Sequence, residues 1–218
     1  MTMLVVGRLG FGVGAASLSA SADVGIPSSP KRDAQPSRRA IWEEDIPGNG
    51  FRSDVKSLSL SLGGAVATYP LGGLVPHDMV LGRVGFSGML GEVIGGSHWY
   101  RGNFELMHEL FGGMEYSPET HYVIGAATLV RYNFATGTRW VPFLDAGAGV
   151  AATDIGRPDL GSVFEFNLQF GAGVHYFFRD DTALTMHYRL VHLCNAGIER
   201  PNQGINESTF YLGLTWFF

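Results

Sequence analysis

Ser57-Leu58-Ser59-Leu60-Ser61-Leu62 alternates polar and apolar residues without a fault. In an extended chain this makes one face oily and the other wet. Seven further stretches carry strand signals, at 79–90, 99–114, 122–134, 140–152, 162–177, 183–194 and 207–218. Eight antiparallel strands are the even count a closed single-chain membrane barrel needs. The connections alternate in length: 135–138 and 179–181 are tight, whereas 68–77, 115–121, 153–161 and 195–206 are long. Outer-membrane barrels keep short turns in the periplasm and long loops outside. The spacing therefore predicts that 195–206 faces the exterior. The stretch 91–98 is the exception, too long for an inner turn.

Composition agrees with strands. Hydrophobic residues make up 45% of the 218 and charged residues 16%. No apolar run approaches the roughly 18 residues a membrane-spanning helix needs. A net charge of −5 argues against nucleic acid as a partner, and a single cysteine, Cys194, excludes an intrachain disulfide. Trp99, Tyr100, Tyr122, Tyr132, Phe134, Trp140, Tyr176, Phe177 and Trp216 are placed as interfacial girdles. Phe210, Leu212, Leu214, Trp216 and Phe218 alternate to the last residue. A soluble β-sandwich could also end on such a strand, but the export segment and loop alternation favour the barrel. Eight strands leave an interior that side chains fill, which argues against a diffusion pore.

Three segments follow. Residues 1–22 read as a signal peptide, with an apolar stretch at 9–18 and an Ala20-Ser21-Ala22 cleavage site; a tail with no address is the alternative. Residues 23–54, with Pro27, Pro30, Pro36 and Pro47, Lys31-Arg32 and Arg38-Arg39, read as a flexible periplasmic linker. Its basic pairs are read as solvated rather than as contacts to anionic lipid or peptidoglycan. Residues 55–218 form the barrel.

The stretch Tyr188-Arg189-Leu190-Val191-His192-Leu193-Cys194-Asn195 carries the chemistry. Period two puts Met186, Tyr188, Leu190, His192 and Cys194 on a lipid-facing side, and His187, Arg189, Val191 and Leu193 inside. Ionisable groups on a lipid-facing wall are costly and point to function. A histidine beside a thiol can act as its general base. The plainer reading is a small buried thiol and a histidine that satisfies a local partner. Gly147-Ala148-Gly149 and Gly171-Ala172-Gly173 complete no nucleotide fingerprint and read as barrel packing. The other histidines show no metal-ligand spacing. His108, Glu109 and Glu105 are assigned to a polar interior.

His192-Leu193-Cys194-Asn195-Ala196-Gly197-Ile198, followed by Pro201-Asn202-Gln203-Gly204-Ile205-Asn206, resembles the signature of the lipid A 3-O-deacylases (the PagL family, also labelled acyloxyacyl hydrolase). That signature runs His-x-Ser-Asn-Ala, then Pro-Asn-x-Gly-Ile, in an eight-stranded outer-membrane barrel. The likeness is strongest over the last 35 or so residues. It continues weakly through Trp140-Val141-Pro142-Phe143, Gly147-Ala148-Gly149 and residues 169–174. The resemblance implies a serine-esterase arrangement: His192 as general base, Cys194 at the nucleophilic serine, and Asn195 and Gly197 shaping the oxyanion hole. Asn206 falls at the acid that orients the histidine. Two departures matter, cysteine for serine and asparagine for the acid. A thiolate–imidazolium pair needs less help from a carboxylate, so Cys-His-Asn is a coherent triad. Glu207 would replace the acid only if the loop extended through it, since neighbours on a strand face opposite ways.

The implied function is deacylation of lipid A or a related outer-leaflet glycolipid, without metal or organic cofactor. Its partners are lipopolysaccharide acyl chains and outer-membrane lipid, with a homodimer left open. A non-catalytic barrel descended from such an enzyme is the alternative. A small porin or adhesin ranks third.

Overall fold

Leu62 is 70% exposed while Ser61 beside it is 2% exposed. The alternation at 57–62 thus folds with serines inward and leucines outward, the inverse of a water-soluble sheet and the pattern of a barrel wall in lipid. The computed structural model describes residues 40–42, 51–68 and 73–218. Its strands are β1 Lys56–Ala67, β2 Asp78–Met89, β3 Gly102–Ser117, β4 Tyr122–Phe134, β5 Trp140–Thr153, β6 Phe164–Phe177, β7 Thr182–Cys194 and β8 Ile205–Phe217. Each pairs antiparallel with the next, and β8 pairs with β1 to close the barrel. All eight expected strands exist. β3 begins and ends three residues later than expected, because Glu115 continues the inward alternation while Trp99 and Tyr100 belong to the turn before it.

Charge fills the middle of the interior. Arg189 donates to Glu109 and to Gln169, both at 2.5 Å, and lies 3.4 Å from Asp145. Arg131 reaches the same Asp145 at 3.0 Å, and Arg83 stands 3.7 Å from Glu109. Arg83 and Arg131 also lie over the Tyr211 and Phe143 rings. Glu105 and Glu109 point inward as expected. His108 does not: it is exposed on the outer wall, hydrogen-bonded to Thr128 across 3.0 Å. Its parity is opposite to that of 105 and 109, and parity rather than polarity decides the face.

The end bearing the start of β1 and the end of β8 is capped by aromatics. Phe51 is 1% exposed and packs edge-on against Phe177 and Phe217. Its carbonyl accepts from Asn103 Nδ2 at 2.8 Å. Ile41 N–H donates to Asp180 O, and Arg139 stacks over Trp42. The expected linker is therefore docked where it is described, at 40–42 and 51–54; its remaining residues, with the proposed signal segment and both basic pairs, lie outside the described residues. Phe177 likewise belongs to this inner cluster and not to a girdle.

At the opposite end the long loops are tied together. Asp159 accepts from Leu74 N–H and Val75 N–H and meets His77, whose other ring nitrogen contacts Glu115 at 2.7 Å. Gln203 N–H donates to Asp159 O, and Leu160 bridges Asn202. A Cβ on Gly161 would fall 2.6 Å from Pro201 O, so only glycine permits this approach. The 195–204 loop, which carries the candidate site, is thus pinned from two sides.

Candidate active site on the lipid-facing wall

β7 has the expected alternation, with His187, Arg189 and Leu193 buried and Tyr188 exposed. His192 lies on the outer side, opposite Leu168 on β6 and Asn206 on β8. Its Nδ1–H donates to Asn206 Oδ1 at 2.7 Å. That bond selects the tautomer with a free lone pair on Nε2, the form a general base requires. Cys194 shares the face two residues on, a Cα separation of roughly 6.5–7 Å by strand rise. It is half-buried and, among the described residues, forms no disulfide. Glu207 points inward and is 3% exposed, because the strand begins at Ile205. It cannot reach His192 through the wall.

Gly204 supports the histidine from behind. Its φ of +78° suits glycine, and a Cβ there would lie 2.8 Å from His192 Cε1. Asn195, fully buried just past Cys194, organises the loop. Its N–H donates to Asn202 Oδ1 (2.9 Å), its Nδ2 donates to Glu199 O (3.0 Å), and its Oδ1 accepts from Gly197 N–H (3.0 Å). The chain turns there through positive φ at Ala196 and Gly197. The structure thus places His192, Cys194 and Asn206 on one face, with Asn195 and Gly197 in the loop that follows Cys194 and both of their backbone N–H groups engaged inside that loop.

Beside His192 the outer wall carries a groove of about 270 Å³. Leu168, Phe170 and Leu190 form its apolar side, and Thr68, His192 and Asn206 its polar side. Thr68 and Ser208 hydroxyls lie 2.6 Å apart, and Tyr188 OH lies 2.9 Å from Ser208. Sequence reasoning missed the groove, since it depends on the register of β6, β7 and β8 and on the closure that brings Thr68, just past β1, against Asn206. Gly204 and Asn202 did carry a signal: both stand in the Pro-Asn-x-Gly-Ile run. Among the described residues no set of three or more His, Cys, Asp or Glu is placed to hold a metal ion.

A closed eight-stranded barrel with a histidine–asparagine pair and a thiol on its outer wall defines a membrane barrel with a lipid-facing site. The family profile described as lipid A 3-O-deacylase (PagL) matches residues 84–215, and the chain belongs to that family. The lipid A deacylase PagL of Pseudomonas aeruginosa is 39% identical over 84 residues, 37% of this chain and 46% of that protein. The match thus spans less than half of the relative's length. The crystal structure of the outer membrane enzyme PagL superposes with a TM-score of 0.53 at 22% identity, over 70% of this chain and 97% of that one. Neisserial surface protein A gives 0.55 at 16% identity, over 75% and 97%. At these identities the two structures speak for the fold.

Proposed function

We propose that the chain is an outer-membrane carboxylic-ester hydrolase that removes an acyl chain from lipid A or a related outer-leaflet glycolipid. The observation that carries this reading is the His192–Asn206 pair on the lipid-facing wall, beside Cys194 and an apolar groove. An acyl chain lies along Leu168, Phe170 and Leu190, bringing its ester to the thiol. His192 Nε2 takes the proton of Cys194, and Sγ bonds to the acyl carbon. The tetrahedral intermediate collapses, the ester C–O bond breaks, and imidazolium returns its proton to the leaving alcohol. Water, deprotonated by His192, then cleaves the thioester to release the fatty acid and restore the thiol. Asn195 and Gly197 orient the loop behind the nucleophile. Residues 1–22 act as the export segment, removed on passage.

Mass spectrometry of lipid A incubated with the refolded barrel tests this: loss of one acyl chain is the expected product. Cys194→Ala abolishes it; retained activity removes Cys194 from its role. Cysteine at the serine position and asparagine at the acid position favour a second reading, a non-catalytic descendant. Cys194→Ser with Asn206→Glu distinguishes the two, because activity appearing only in the double variant marks the parent as a decayed enzyme.

A further inference from the structure

We propose that Asn206 performs two tasks with one amide: Oδ1 holds His192, and Nδ2 donates to the acyl carbonyl oxygen as negative charge builds on it. This rests on the ester-hydrolase reading of the same site. Asn206 is 4% exposed and lines the groove at His192. Its Nδ2 is buried and has no hydrogen-bond partner among the described residues. A buried donor left unpaired costs stability, so one retained beside a candidate base calls for a partner that arrives with the substrate. The amide is planar, so anchoring Oδ1 on Nδ1 also fixes the direction of Nδ2.

The donors expected from the loop are occupied. Gly197 N–H is bonded to Asn195 Oδ1, and Asn195 N–H to Asn202 Oδ1. A carboxylate at position 206, as the family resemblance implies, has no proton to offer an oxyanion. Asparagine gives up charge stabilisation of imidazolium, which a thiolate partner needs less, and gains a donor. When Sγ bonds to the acyl carbon, the carbonyl π pair moves onto oxygen, and Nδ2–H meets it there. On collapse the pair re-forms the carbonyl, the ester C–O bond breaks, and the leaving oxygen takes the proton from Nε2.

Steady-state deacylation of purified lipid A by the refolded full chain separates the roles. Asn206→Asp keeps the acceptor for His192 and adds charge but loses the donor. The expected result is a fall in kcat of about 10²-fold with KM unchanged. If the amide only orients the imidazole, Asp matches or exceeds Asn, and that outcome overturns the proposal. Heat-modifiable gel mobility confirms folding. If the Asp variant does not refold, Asn206→Glu, which also keeps an acceptor and loses the donor, decides: a fall in kcat at constant KM supports the assignment, and parental or higher activity overturns it. A folded parent that releases no fatty acid overturns the hydrolase reading and this one together; an active parent with an unimpaired Asp variant overturns this one alone.

Discussion

At the scale of single residues the site depends on what stands behind the histidine. Gly204 leaves no room for a methyl group beside the ring, and its positive φ penalises any side chain. Gly204→Ala displaces His192 by a fraction of an ångström while the barrel stays closed. The expected loss in kcat is about 10- to 100-fold, the scale of a small misplacement, measured beside an unchanged gel-mobility shift. Cys194 and Asn206 are matched in the same way. A hydroxyl is far less acidic than a thiol and needs the charge that an amide lacks. Cys194→Ser alone therefore loses roughly 10³- to 10⁴-fold in rate, and full recovery by serine alone in the deacylation assay would contradict the matching. The spacing of His192 and Cys194 was legible in the sequence. The hydrogen bond to Asn206 was implied only by the family resemblance and not by local pattern, because fourteen residues and a loop separate the two along the chain.

At the scale of elements, parity proved more informative than residue type. The faces of β7 follow from counting by two, whereas His108 was misplaced when its polarity was preferred to its parity. The docked segment at 51–54 was hidden by its charge- and proline-rich surroundings, which read as linker. It nevertheless inserts Phe51 between Phe177 and Phe217. Phe51→Ala empties that position and costs about 3 kcal/mol or more, as for other buried aromatic truncations. The measurement is the urea midpoint of the barrel in vesicles; deacylation stays at the parental level, since the site lies at the other end. An unchanged midpoint would mean that the cluster closes without Phe51.

At the scale of the whole molecule, three arginines and three carboxylates, Arg83, Arg131, Arg189, Glu105, Glu109 and Asp145, form one ion-pair network in the middle of the interior. Arg189 is its hub and is almost wholly buried. Arg189→Leu leaves Glu109 and Asp145 short of a partner, and the expected destabilisation is roughly 3–5 kcal/mol, read from unfolding in vesicles. Packing of this kind blocks ion flow, so planar bilayers containing the protein show no conductance above background. A steady conductance would revive the porin reading.

The local pattern of the chain was enough to determine the strands, their faces, the barrel class and the motif near its end. Each depends on period two or on neighbours a few residues apart. Only strand register and loop packing decided which side chains meet. Register set Asn206 against His192 and laid Leu168 and Phe170 beside Leu190, closure brought Thr68 to the groove, and loop packing bound 195–204 to Asp159. These contacts join different strands and loops, and their register is set by ladder hydrogen bonds and interior packing around the whole ring.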